Sequence, residues 1–190
     1  MLKKLISSAR NLTDTRGLVL TAMLLAMHAC LGAFKIPFAL DNRITLTFAV
    51  TSAAGIVLGP VPAMIVGGLG DILGYFINPG GGAYFFGFTI SGMLGGLIYG
   101  LCLYGIKLPD DKRKSAIKAF LLIMLSCALI TLFVNIILNT YWLSVMYGKA
   151  YTIFSAARII KNFIVYPLHI IVIFALFMLT ERTGIRKKYL

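Results

Sequence analysis

Long apolar stretches separated by short polar ones occupy almost the whole chain. Six of them, at about 17–34, 44–59, 61–77, 84–106, 116–140 and 153–180, come near or exceed the ~17 residues a helix needs to cross a bilayer. They predict an all-α integral membrane bundle of six transmembrane helices. The second and third stretches are the shortest, and they meet at Gly59-Pro60, a turn dipeptide that predicts a tight hairpin. Residues 1–16 then form an N-terminal segment, 17–183 the helical domain and 184–190 a basic tail.

Small residues recur four apart within these stretches. Gly92, Gly96 and Gly100 form one stripe, Ala63 and Gly67 a second, Gly70 and Gly74 a third. Such stripes let helix backbones approach closely, which matters where lipid supplies little hydrophobic drive for association. Ala22, Ala26 and Cys30 form a further stripe on the first span, suited either to internal packing or to another protein.

Composition agrees with the pattern. Of 190 residues 59% are hydrophobic and only 13% charged, and the mean hydropathy is +0.92. A soluble domain averages roughly 25% charged residues. The net charge of +12 does not indicate nucleic acid, because no basic soluble domain remains once the apolar stretches are set aside. Thirteen of the eighteen Lys and Arg fall in the N-terminal segment, the loop around 107–118 and the C-terminal end from Arg182 on, which six spans bring to one side. The positive-inside rule makes that side the cytoplasm and both termini cytoplasmic. The other five cations, Lys35, Arg43, Lys149, Arg158 and Lys161, fall at the opposite mouth, where such residues are usually scarce. A cationic mouth on an apolar protein points to an anionic ligand.

Several chemistries find no support. There is no phosphate-binding loop of the G-x-x-x-x-G-K-[ST] type and no H-E-x-x-H zinc motif. Cys30, Cys102 and Cys127 fit no metal spacing, and His28 and His169 read as packed side chains on separate apolar helices. No catalytic constellation, metal site or cofactor site is expected. Asp71 is the one acid well inside a span, fewer than a proton-coupled carrier would need. The start of the chain does not read as a cleaved signal, since polar residues follow Met1-Leu2-Lys3-Lys4 before any apolar run.

The opposite mouth carries the candidate chemistry. Gly80-Gly81-Gly82 allow close approach of backbone to a ligand, and Tyr84, Phe85, Phe86 and Phe88 follow at once, as an interfacial belt or as a stacking surface. Asn135, Asn139 and Trp142 share one helical face, for an interhelical hydrogen bond or for the edge of a ligand. Arg158, Lys161 and Asn162 open the last span, either snorkelling to headgroups or clamping a carboxylate. Asp71 needs a cation across the bundle or a ligand N–H pair. Together these groups suit a ligand with a flat heteroaromatic end and an anionic end.

The string Gly70-Asp71-Ile72-Leu73-Gly74-Tyr75 leads to Pro79-Gly80-Gly81-Gly82-Ala83-Tyr84-Phe85-Phe86-Gly87-Phe88-Thr89. With Asn139-Thr140-Tyr141-Trp142-Leu143 and Arg158 to Asn162, it resembles the folate-specific substrate-binding S component of energy-coupling factor (ECF) transporters, over nearly the whole chain. That family pattern has a proline where this chain has Phe86. The resemblance implies a six-helix membrane protein of a Gram-positive cell membrane. It implies that vitamin is bound from outside and delivered by association with a coupling protein and two ATPases, where ATP is hydrolysed. Its A-x-x-x-A motif falls on Ala22 and Ala26 as the contact with the coupling component. For folate, Trp142, Tyr84 and Phe85 would sandwich the rings beside Gly81. Asp71, Asn135 and Asn139 would read the pterin, and Arg43, Arg158 and Lys161 would hold the glutamate end. A different vitamin on the same fold, a self-sufficient carrier and a headgroup-modifying enzyme are the competing readings.

Overall fold

The apolar periodicity becomes helix nearly everywhere. In the computed structural model, residues 1–34, 36–39, 42–79, 83–106, 112–148 and 151–185 are described, without the side chains of residues 2, 36–39, 42–44, 112, 147, 151–158 and 160. The order is α1 (Leu2–Thr13), α2 (Thr15–Ala33), β1 (Ile36–Ala39), β2 (Asn42–Ile44), α3 (Thr47–Val57), α4 (Pro60–Ile77), α5 (Phe86–Leu103), α6 (Lys112–Leu129), a π-helical segment (Ile130–Leu138), α7 (Asn139–Tyr147) and α8 (Tyr151–Arg182). The fold is all-α, with one short antiparallel hairpin in which Ile36 pairs with Ile44 and Pro37 with Arg43.

Among the described residues, five helical stretches are long and apolar enough to cross a membrane: Thr15–Ala33, Pro60–Ile77, Phe86–Leu103, Arg113–Met146 and Lys161–Arg182. The chain is a multi-pass membrane protein. The expected span at 44–59 is realised as α3 alone, 11 residues long. At 1.5 Å per residue it reaches about 16 Å of a core ~30 Å thick. The residues before it are drawn into the hairpin instead.

Gly59 makes the turn between α3 and α4. Its φ of 95° favours a residue without a Cβ, and Pro60 then opens α4 at its first position. The polar N-terminal segment is also a helix, which the hydropathy pattern did not predict. It lies at this turn: Ser8 Oγ donates to Leu58 O at 3.1 Å and accepts from Val61 N at 3.0 Å. Asn11 Nδ2 donates to the same carbonyl at 3.0 Å, and Lys4 Nζ to Leu101 O at 3.0 Å. These side chains satisfy groups that helix ends leave unpaired.

The small-residue stripes meet as backbone contacts. A Cβ at Gly92 would stand 2.5 Å from Gly67 O, and one at Gly55 would stand 2.9 Å from Gly100 N. On the other side of α4, Gly74 packs on Gly32 of α2. The dry core lies toward the α1 end, where Ile56, Leu58, Leu103, Ile123, Ile173 and Phe177 are fully buried. The other half of the bundle is hollow.

Candidate ligand cavity

A cavity of about 260 Å³ opens among α2, α3, α4, α5, the π-helical segment, α7 and α8. That is near the lower end of the ~300–1,000 Å³ usual for small-molecule pockets. Ile130, Val134 and Val165 make part of its lining apolar beside Tyr99 and His169, and Asp71, Asn135, Asn139, Lys161 and Asn162 make another part polar. Gly95 leaves part of the space: it lines the cavity, and a Cβ added there meets no atom within 4 Å.

Asp71 lies on this lining near the C-terminal end of α4. Thr89, 3% exposed, donates from Oγ1 to Asp71 Oδ2 at 2.9 Å. The Tyr84 hydroxyl stands 2.6 Å from the same Thr89 oxygen. A hydroxyl has one proton, so with Thr89 donating to Asp71, Tyr84 donates to Thr89. The chain of bonds fixes the carboxylate and ties it to the residues just before α5.

Asn135 and Asn139 also line the cavity, and Asn139 Nδ2 donates to Asn135 Oδ1 at 3.5 Å. Asn139 Oδ1 is buried without a partner. An acceptor left so in an apolar surrounding costs about 1–3 kcal/mol, and a ligand N–H would recover it. Lys161 and Asn162, from the first half of α8, complete a wall with a cation and an amide, Asn162 being buried.

Trp142 does not share this wall. The π-helical turn is wider than an α-turn, so the residues beyond it are rotated from the face that a straight α-helix would give them. Trp142 packs on Phe85 with ring centroids 5.7 Å apart, and a Cβ at Gly87 would come within 2.6 Å of its ring. Phe85 in turn meets Phe88, a lining residue, at 5.9 Å. The aromatic group of Phe85 and Trp142 therefore adjoins the cavity through Phe88. Tyr84 packs on Tyr75 at 5.3 Å.

Of the residues expected from the sequence, Asp71, Asn135, Asn139 and Lys161 come together on one cavity. Gly81, Lys35 and Lys149 lie outside the described residues, as do the side chains of Arg43, on β2, and Arg158, on α8. Sequence reasoning did not single out Thr45, Thr47, Phe48, Thr51, Thr89 or Ser91. It took both histidines as ordinary packing, yet both line the cavity. His28 sits against Gly70, where a Cβ would collide with the imidazole, and His169 stacks on Phe48 at 3.8 Å. The available signal was polar side chains inside apolar spans. Ala22 and Ala26 are exposed on α2, at the edge of its buried face, with buried Ala29 at i+7 and i+3 from them.

The family model for the ECF transporter, substrate-specific component, matches residues 16–178. The folate transporter FolT of Clostridium novyi (strain NT) is 36% identical over 146 residues, 77% of this chain and 78% of that protein. The folate transporter FolT of Leuconostoc mesenteroides subsp. mesenteroides is 33% identical over 165 residues, 83% of this chain and 82% of its own. The crystal structure of FolT bound with folic acid superposes with a TM-score of 0.72 at 30% identity, covering 85% of this chain and 91% of that one.

Proposed function

The chain belongs to the substrate-specific components of ECF transporters, and on that premise we propose that it is a folate-binding subunit. In this reading it takes folate from outside a Gram-positive cell membrane, with both termini cytoplasmic. It then delivers the vitamin by association with a coupling component and two ATP-binding subunits, which hydrolyse ATP.

The observation that carries the reading is the cavity lining, which acceptors share with a cation. The pterin of folate presents an amino group and ring N–H donors. Asp71, held by Thr89, and Asn139 Oδ1 offer acceptors for them, with Asn135 beside. The glutamate of folate carries carboxylates, for which Lys161 supplies a charge on the lining. Arg43 and Arg158 join it as partners for the same carboxylates. Tyr84, Phe85 and Trp142, with Gly81, take the flat rings, each stacked ring contributing about 1–3 kcal/mol by analogy with bases on aromatics. Relatives named as folate transporters support the choice of folate over other vitamins.

For the coupling contact, the exposed Ala22 and Ala26 leave a shallow stripe on α2 against which another helix can pack closely. Titration calorimetry of the purified protein with folate and a panel of other vitamins tests the substrate. Heat only with folate supports the reading. Heat with a different vitamin, and none with folate, replaces the substrate while keeping the family.

A further inference from the structure

We propose that the outward face of α1 is a docking surface for anionic phospholipid headgroups. The proposal concerns the opposite end of the molecule from the cavity and does not depend on the ligand.

The inward side of α1 is committed to the bundle. Lys4 bonds the end of α5, and Ser8 and Asn11 bond the turn between α3 and α4. Asn11 Nδ2 and Ser7 Oγ also approach the Tyr104 hydroxyl, at 3.4 and 3.3 Å. These partners belong to the same end of three different helices, so α1 lies across the bundle end. In a membrane protein that is the level where hydrocarbon gives way to headgroups.

The outward side mixes apolar and cationic residues. Ile6 is 52% exposed, and Ala9, one turn on, is exposed beside it. Lys3 and Arg10, both exposed, flank Ile6 at i−3 and i+4, on the same stripe of the helix. A half-exposed aliphatic group between cations suits the boundary of acyl chains and phosphates, as in helices that lie in the interface plane. The neighbouring exposed charges add to the sign: Arg16 on α2, and Arg113 and Lys114 on α6. Among the described residues, the acids at this end are the exposed Asp14 and the half-buried Glu181; Asp110 and Asp111 of the 107–118 loop lie outside them. A positive, partly apolar face at headgroup level fits anionic lipid better than it fits an acidic protein, which would leave Ile6 without apolar partners.

The test uses the intact protein in nanodiscs of phosphatidylcholine, with and without phosphatidylglycerol. A lipid that binds the folded state raises Tm. Phosphatidylglycerol should raise the Tm of the parent, and more than half of that rise should vanish in Lys3→Gln/Arg10→Gln. In phosphatidylcholine alone the variant should match the parent, because neither substituted side chain makes the bonds that hold α1. High salt should abolish the difference, since these charges are exposed. In co-purifying lipid, the ratio of phosphatidylglycerol to phosphatidylcholine bound at this face should fall roughly fivefold per cation removed. A parent indifferent to phosphatidylglycerol overturns the proposal, as does a double variant with the full response. A variant that keeps the lipid response and loses only its association with a protein partner also overturns it.

Discussion

Thr89 donates its hydroxyl proton to Asp71 across the contact of α5 with α4, at 2.9 Å. This bond helps set the place of the carboxylate on the cavity lining, and without it Tyr84 would lose the oxygen to which it donates. Hydrogen bonds to charged groups contribute about 1.5–3 kcal/mol. Thr89→Val keeps the shape and removes the donor. It should weaken folate binding roughly tenfold or more by calorimetry while the bundle stays folded. Binding equal to the parent would mean that Asp71 does not contact the ligand.

Gly95 gives a test that depends on volume alone. A Cβ there meets no atom within 4 Å, so an added side chain starts into open cavity space. Gly95→Leu should therefore leave Tm at or slightly above the parent value, since a helical glycine is replaced by a good helix former. Folate binding should be lost. A Tm unchanged together with unchanged affinity would place the ligand elsewhere.

Much of this arrangement was legible in the sequence, for identifiable reasons. The apolar runs gave the helices, because hydropathy and length are what a membrane selects. The glycine stripes gave the α4–α5 contact, where Gly67 and Gly92 bring backbones together. The four residues Asp71, Asn135, Asn139 and Lys161 stood out as polar groups in apolar surroundings. Helix α1 was not legible, because its polar side chains turn inward to meet helix ends, the reverse of ordinary patterning. The turn of Trp142 toward Phe85 was hidden too, since the spacing was read as α-helix through nine residues that are π-helical. His28 and His169 looked like filler because each was considered on its own helix, and only the tertiary fold puts both on one cavity.

Ser8 bridges the two sides of the α3–α4 turn, accepting from Val61 N and donating to Leu58 O. Its hydroxyl does for α4 what an N-cap does, although it comes from another helix. Ser8→Ala should lower stability by about 1–2 kcal/mol, seen as a fall in Tm. The cavity lies at the other end of the bundle, so folate affinity should not change. A loss of affinity at unchanged Tm would contradict this division of the molecule.

The cations can be separated from one another. Lys161 lines the cavity, while Arg43 and Arg158 are assigned to the same carboxylates by the functional proposal. Single replacements by Ala should each weaken folate binding about 10- to 150-fold if each holds a carboxylate, the range for losing a charged hydrogen bond. The affinity of a folate analogue without its glutamate should be nearly indifferent to them. If all three variants bind folate like the parent, the carboxylate clamp is wrong.

Helix α2 has an exposed edge next to its buried face. Thr21, His28, Ala29 and Gly32 are buried toward the bundle, with Gly32 packed on Gly74 of α4. Ala22 and Ala26 are exposed a short rotation away. Both side chains are exposed, so replacing them with Leu adds bulk at that edge, and Tm and folate affinity should stay close to the parent. A helix of the coupling component could then no longer approach as closely, and vitamin uptake into cells carrying the whole transporter should fall to background. Lost folate binding would instead mean that the stripe packs within the chain. Unchanged uptake would mean that the coupling component approaches another face. Only the combination of retained binding and lost uptake assigns the stripe to the partner.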